Sequence, residues 1–526
     1  MPPSRDYTDY RKVYFRPELK NCPICGSVLR RSHVAWSKGV QTMKGNIRAT
    51  SYAYRCSNMD CGSGMFKSAE AEALSLPFRT YALDVVVEIG YLRHNGKRSI
   101  TEIHRELRSA GIEICERECY ELLHVFEELI AVRPVELDPD FYDAVEQNGG
   151  VVLAIDGVQP ERGNSTLYVL QDVLTGKVLY ADYLENSISE NVSKLIDAVR
   201  DALKKAGLDI VAVISDHQHS IRLAVAASLP GVPHQFCHFH VLRNACLPIT
   251  DMDRQLKKEV RKRIRGIAPV ERALSRRNDA SAREAANACL LLRSLLIYPG
   301  TLSLNFGGMR VFEHLAALDG ALHRMLAVRK DREIERLSAI TGRWHGMETQ
   351  YRDVAALAAY ADRLRSMLAG DGGADSMRRR AGRFLSTIRR KAAEGGNFSK
   401  LDAMVKTLES HWDGLFHCYA DSRIPRTDNG LEITIRRLKA GYRRTSGRKS
   451  WDSFMAQYGR SAFMVPPDVS RSTLLDMAES ADRGKFGMRW KEFNSRRSEQ
   501  SLMRSAAHDY DAALKELEEH WAAIGT

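Results

Sequence analysis

The sequence predicts an α/β fold in which a mixed sheet is interrupted by a long, all-helical stretch. Three observations carry that prediction. The apolar run Val151-Val-Leu-Ala-Ile155 leads into Asp156, with Gly157 leaving room beside it, and Val211-Ala-Val-Ile-Ser215 leads in the same way into Asp216. Between them lie two strand-like runs, Ser165 to Leu174 and Lys177 to Leu184, split by a Thr175-Gly176 turn and followed by a helical segment from about Asn191 to Ala206. Beyond Arg243 the pattern is helical to about Tyr419.

If the first and fourth of these strands are parallel neighbours, their ends bring Asp156 and Asp216 together. Carboxylates held side by side repel, and a hard divalent cation such as Mg²⁺, or Mn²⁺, neutralises them most simply. Such a pair points to phosphate-ester chemistry. The plainer reading is that each acid ends a strand and caps the next segment.

At 526 residues the chain has room for several domains. Its net charge of +12 favours a polyanionic partner, because Lys and Arg that neutralise phosphates release condensed counterions. No apolar run approaches the roughly 18 residues that span a bilayer, and the polar start Met1-Pro-Pro-Ser-Arg-Asp-Tyr7 is no signal peptide. The expectation is a soluble cytoplasmic protein with no membrane partner, nucleoid-associated in a prokaryote. In that setting the ten cysteines read as metal ligands or buried thiols.

Taken in order, the chain begins with two cysteine pairs, Cys22-Pro-Ile-Cys25-Gly26 and Cys56-Ser-Asn-Met-Asp-Cys61-Gly62. Four thiolates can close a tetrahedral Zn²⁺ site, and the alternating Thr50-Ser-Tyr-Ala-Tyr-Arg55 between the pairs suits a small zinc ribbon. So little core implies that the metal supplies much of the module's folding free energy. His33 is a spare ligand candidate.

Pro77 to about Arg133 is helical. Leu83, Val86, Val87 and Ile89 begin an apolar face; Ser99-Ile-Thr-Glu102 reads as a capping box; Ala110-Gly111 breaks the chain before a third helix from Glu116. This pattern fits a helix-turn-helix. It fits a plain three-helix packing module equally well, because the third helix opens with Cys115-Glu-Arg-Glu-Cys-Tyr-Glu-Leu122, which is acidic for a DNA reader. Arg93, His94, Lys97, Arg98, Arg105 and Arg108 are the alternative phosphate contacts, and Pro134 and Pro139 mark a linker.

Within the helical stretch, residues 253 to 266 place Leu256, Val260 and Ile264 on one face and Lys257, Lys258, Arg261, Lys262 and Arg263 in a cationic band. Helices are expected over Leu290 to Leu296, Phe312 to Val328, Val354 to Met367 and Met377 to Ala392, with a glycine-rich turn at 369 to 374. Trp344 is a candidate for stacking on an unpaired base, or simply core. After the helices, Asp428 reads as the N-cap of a helix whose Leu431, Ile435, Leu438 and Tyr442 share a buried face. Glu432, Arg436, Lys439 and Arg443 form the adjoining stripe, about 100° round the axis. A carboxylate in line with three cations suits a metal-dependent cut in a nucleic-acid backbone; the plainer reading is an amphipathic surface helix whose Glu432 pairs with Arg436 four residues on. Asp428, and more weakly Asp413 and Glu409, are rivals to Glu432. Trp451, Phe454 and Tyr458 lie on a following helix, and a last helix from Asp509 to Ala523 carries Tyr510, Leu514, Leu517 and Trp521 toward a contact with another subunit or domain.

The order of these elements, with Cys237 and His240 of Pro233-His-Gln-Phe-Cys-His-Phe-His240 after the fifth strand, resembles DDE transposases of the Mutator-like, hAT-like and related prokaryotic insertion-sequence groups. The resemblance covers residues 148 to 248 and returns near residue 425. It implies an RNase H-like core at 141–248 and 423–467 with a helical insertion at 249–422, while the residue patterns above give a zinc ribbon at 1–75, a helical, helix-turn-helix-like domain at 76–140 and a charged helical tail at 468–526. It also implies catalysis by Asp156, Asp216 and Glu432 on two Mg²⁺ or Mn²⁺ ions, hydrolysis of a phosphodiester at a transposon end, and attack of the freed 3′-hydroxyl on target DNA. The partners implied are double-stranded DNA, as transposon ends and target, and further copies of the chain in a homo-oligomer. Two other readings stay open: a catalytically silent, domesticated DNA-binding protein, and an RNase H-like nuclease that does not join strands. His240 is read as orienting or protonating a DNA group near the scissile phosphate, or, equally, Cys237 and His240 as stabilising the insertion against the core.

Overall fold

Alternating apolar residues and a glycine turn build the first sheet. In a computed structural model, which describes residues 10–132, 139–158, 165–184, 186–298, 304–447, 455, 459–460, 462–465, 469–512, 514–515 and 517, β1 (Arg11–Phe15) pairs in parallel with β3 (Gly45–Cys56). β2 (Leu29–Thr42) runs antiparallel to β3 through the turn at Gly45, so Leu29 faces Cys56 across the ladder. Along β3, Ile47, Ala49, Ser51 and Ala53 are buried at every second position, as period-two alternation requires.

A short helix, α1 (Ala69–Leu74), leads to three longer ones, α2 (Leu83–His94), α3 (Ile100–Ser109) and α4 (Glu116–Ala131). The capping box at the start of α3 forms as its sequence predicts: the Glu102 carboxylate accepts from the Ser99 backbone N–H at 2.7 Å and the Ser99 hydroxyl accepts from the Glu102 N–H at 3.3 Å. α4 lies at the centre of this cluster and is buried from Leu122 to its end. Its exposed surface is confined to the first turns, at Glu116, Arg117 and Tyr120. His94, one of the alternative phosphate contacts, instead lies 3.1 Å from the buried Glu127. Pro134 lies outside the described residues, and Pro139 opens a helix, α5 (Pro139–Asn148), instead of a linker.

β4 (Val151–Val158), β5 (Thr166–Asp172) and β6 (Val178–Leu184) pair antiparallel in that order, and α6 (Ser189–Lys205) comes next. β4 therefore runs on past Asp156, which faces Val169 of β5. The Asp172 carboxylate holds the turn after β5, accepting from the N–H and hydroxyl of Thr175 at 3.0 and 2.6 Å.

Residues 210–428 form one compact unit and residues 1–209 with 429–526 another. The short strands β7 (Ile210–Ser215) and β8 (His234–Phe236) belong to the unit of residues 210–428. β7 and β8 pair in parallel, joined through α7 (His219–Ser228), and Phe236 packs in the apolar core of α8 (His238–Ala245) and its neighbours. Next come α9 (Leu247–Arg263), α10 (Ile267–Leu274), α11 (Ala280–Leu296) and α12 (Gly307–Val328). The buried carboxylate of Asp253 on α9 accepts from the N–H groups of Gly308 and Met309, both at 2.9 Å, and so caps α12. A Cβ on Gly308 would stand 2.1 Å from the Asp253 carbonyl oxygen, so only glycine allows this approach.

α13 (Arg332–Thr341), α14 (Glu348–Ala369), α15 (Ala374–Ala392) and α16 (Asp402–His411) complete the helical unit in two apolar clusters. Trp344 takes the core role: its Nε1 donates to Asp319 at 3.1 Å and its ring meets Phe312 edge-on at 5.4 Å.

The chain returns to the first unit with α17 (Asn429–Ser446). Leu431, Ile435 and Leu438 pack on Leu167, Val169 and Ala181 of β5 and β6, the face that helical spacing predicts. Trp451, Phe454 and Tyr458 lie outside the described residues. α18 (Arg471–Glu479) and α19 (Arg483–His508) join the α2–α4 cluster. Of the residues proposed for a contact near the C-terminus, Tyr510, Leu514 and Leu517 are exposed and Trp521 is outside the described residues.

Candidate functional site

Each predicted acid has a definite local setting. Asp156 is half-buried on β4. Asp216 follows the last residue of β7 and accepts from the Gln218 N–H at 3.2 Å, an Asx-type turn that starts the chain into α7. Glu432 is half-buried in the first turn of α17, while Arg436, Lys439 and Arg443 are exposed along the same helix. α17 thus turns its apolar side to β5 and β6 and leaves its cationic stripe on the surface. Of the rival acids, Glu409 is ion-paired with Arg389 and Asp413 is exposed.

The band on α9 is smaller than the sequence predicts. Lys257 is buried, with its ammonium 5.6 Å from the centre of the Tyr298 ring, and burial lowers its pKa, so it is not available to a phosphate. Arg261 donates to the Tyr298 carbonyl at 2.9 Å, Lys262 pairs with Glu259 at 2.7 Å, and Arg263 donates to the carbonyls of Arg343 and His345. Lys262 and Arg263 stay exposed while making these contacts. Lys258 is exposed and keeps the predicted orientation.

Two groups of side chains have the chemistry and spacing of metal ligands among the described residues. The first is Cys22, Cys25, Cys56 and Cys61, whose sulfurs all lie within 4.8 Å of one another. Two tight turns bring them together. The Gly26 N–H donates to the Cys22 carbonyl at 2.9 Å, and Gly26 and Gly62 both take positive φ, at 74° and 65°, so the glycine after each pair is what lets the backbone turn back. Bonds from the Ser27 hydroxyl and N–H pull the Cys25 thiol down to about 6, while burial pushes Cys56 up to about 12. Four sulfurs at this spacing fit Zn²⁺ in a closed, structural site.

The second group joins Cys237 and His240 to Asp428, again within 4.8 Å. Cys237 is the N-cap residue of α8 and His240 lies on its first turn. His238 between them turns away: its ring nitrogen bonds to the Leu415 carbonyl at 2.9 Å, and its backbone N–H donates to the Arg426 carbonyl at 2.9 Å. Arg426 in turn grips the end of α14 through the carbonyls of Ala369 and Gly370, at 2.6 and 3.0 Å. That brace delivers Asp428, which accepts from the Cys237 thiol at 3.0 Å across 191 residues of sequence. Burial and the Asp428 carboxylate push the Cys237 thiol up to about 12. The sequence marks Asp428 as a rival to Glu432 but gives no sign that it meets Cys237 and His240.

A histidine cluster beside β7 is also absent from the sequence reading. The His217 and His411 rings lie 3.8 Å apart, His234 shares a hydrogen bond with the Ser215 hydroxyl at 2.8 Å, and Phe236 packs against all three rings. Burial holds His234 down to about 3 and His411 down to about 4, so both are neutral. Single histidines scattered from 217 to 411 carry no local pattern that reveals this.

No helix among the described residues is long and apolar enough to cross a membrane. The DDE_Tnp_ISL3 family model, whose description is Transposase, matches residues 153–458, more than half of the chain. That span contains Asp156, Asp216, Cys237, His240, Asp428 and Glu432 and leaves the cysteine pairs outside it. No curated protein matches the chain.

Proposed function

The chain belongs to the ISL3 family of transposases, and on that premise we propose that it cuts and joins DNA at the ends of a mobile element through Asp156, Asp216 and Glu432. The observation that carries this reading is the family match across a span in which all three acids occur. The antiparallel β4–β5–β6 meander, the α6 connection and then β7 follow the order of an RNase H-like core, and the helices of residues 249–422 stand where such a transposase carries an insertion. The match is to the ISL3 family and does not itself support a Mutator-like or hAT-like subtype.

Three half-buried carboxylates are an all-oxygen donor set, which fits Mg²⁺ or Mn²⁺. Bound there, two such ions would supply Lewis-acid stabilisation to the attacking and leaving oxygens of a phosphodiester displacement. The protein's own contribution is positioning. Arg436, Lys439 and Arg443 bind the backbone of the DNA next to Glu432, and Lys258 is a further phosphate contact. The four-cysteine module binds Zn²⁺ and, with the helices of residues 76–140, takes part in holding the transposon end. Two ends must be processed together, which calls for more than one copy of the chain.

The test is cleavage and joining of a labelled duplex carrying the element's terminal sequence, in Mg²⁺, by Asp156→Asn, Asp216→Asn and Glu432→Gln. Each variant should lose both steps by about 10²-fold or more while still binding the DNA. A Glu432→Gln protein that keeps cleavage removes Glu432 from the reading. Cleavage without joining by the unmodified protein favours a nuclease instead.

A further inference from the structure

We propose that Cys237, His240 and Asp428 bind a second zinc ion, separate from that of the four cysteines, and that this ion fastens the residue from which α17 starts. The metal-ligating groups themselves carry this site, independently of the proposed strand-transfer chemistry. A sulfur, an imidazole nitrogen and a carboxylate oxygen lie within 4.8 Å of one another, in a pocket where Cys237 is 0% and Asp428 3% exposed. The i, i+3 spacing of Cys237 and His240 puts both on one face of the first turn of α8, and the Arg426 brace presents Asp428 to that face.

A thiol alone is a poor partner for a buried carboxylate. A thiol is a weak donor, so the 3.0 Å bond from Cys237 compensates little of the cost of removing Asp428 from water. His240 Nδ1 is buried with no hydrogen-bond partner among the described residues. A divalent cation answers both at once: on binding, the Cys237 thiol gives up its proton to solvent, and thiolate plus carboxylate cancel the charge of the ion. The thiolate and imidazole select zinc over magnesium or calcium. Three protein ligands leave the fourth tetrahedral position to a water or another small ligand.

Because Asp428 immediately precedes α17, loss of the ion would free the start of the helix that carries Glu432. The ion is therefore a structural clasp inside the unit of residues 210–428 and not one of the reacting metals.

Metal analysis of the purified full-length chain decides the matter. The unmodified protein should carry two zinc ions, and Cys237→Ser and Asp428→Asn one each. The Cys22→Ser/Cys56→Ser protein should also keep one, and Co²⁺ loaded into it should show the charge-transfer absorption of a single thiolate ligand. Two ions retained in Cys237→Ser, or none held by Cys22→Ser/Cys56→Ser, would overturn the proposal. The cobalt spectrum does not depend on a change at residue 237, so misfolding of that variant leaves the test intact. Inactive Asp156, Asp216 or Glu432 variants should keep both ions, which separates failure here from failure of the transposition mechanism.

Discussion

Removing zinc from the four-cysteine site should unfold one end of the N-terminal sheet and spare the other. Around the knuckles, Leu29 is the one buried apolar side chain beside the thiols among the described residues, with Tyr54 and Phe66 partly buried against it. Ile24, Val28, Met59 and Met65 are all exposed, at 70, 58, 77 and 52%. Burying a leucine contributes roughly 1.5–3 kcal/mol, whereas ordering the backbone costs roughly 1–2 kcal/mol for each residue of the turn. The apolar contacts therefore fall well short, and zinc, at roughly 10–16 kcal/mol in isolated zinc-finger peptides, supplies the difference. The far end of β2 and β3 is different, since Phe15, Val40, Ile47, Ala49, Ala71 and Ala82 form a core of their own. Hydrogen exchange before and after chelation reads both ends. The amides of Cys22, Gly26, Tyr54 and Phe66, all hydrogen-bonded in the turns and the bridge that close this end, should lose about three orders of magnitude of protection or more, equivalent to about 4 kcal/mol. Those of Val40 and Ile47 should change less than about tenfold. Protection that survives chelation at Cys22 and Gly26 would refute the claim that the metal holds this end together.

Replacing Arg436, Lys439 and Arg443 together by Ala should lower the slope of log K against log salt for duplex DNA by roughly 2–3, about 0.9 per phosphate contact, while Lys257→Ala, a change at a buried residue, should leave the slope as it was. Arg460→Met should destabilise the first unit by roughly 3–5 kcal/mol in urea titration. It strips the guanidinium from Glu128 at 2.7 Å and Asp182 at 2.8 Å, the former only 2% exposed; a loss below about 1 kcal/mol would show the pair to be dispensable. Acid should weaken the helical unit. His234 and His411 stay neutral when folded, with pKa values held down to about 3 and about 4 from an ordinary 6.5. The unfolded chain therefore binds more protons below pH 6.5, and stability that is complete above that pH falls as the pH drops toward 4. Each histidine accounts for on the order of 2 kcal/mol between pH 6.5 and about 5, and His411→Gln should flatten the dependence measured by thermal melts. An unchanged slope in that variant would assign the acid sensitivity elsewhere.

Features set by neighbours in the chain were legible without coordinates. Ser99 and Glu102 close a capping box because they are three residues apart, Gly26 and Gly62 permit the turns beside their cysteines, and Leu431, Ile435 and Leu438 face inward at helical spacing. Local backbone geometry and hydrophobic periodicity act over a few residues, so the sequence by itself determined these elements, the cysteine turns and the cationic stripe of α17. What it could not reveal is which side chains meet across long intervals. Lys257 reads as part of a cationic band, yet packing of Tyr298 over it puts its charge out of reach. His217 and His411 meet only because β7 and α16 are packed together. Asp428 joins Cys237 and His240 only because Arg426 ties its segment to the end of α14. Burial and convergence are properties of the packed chain, decided by which apolar faces exclude water together, and no window of local sequence contains them.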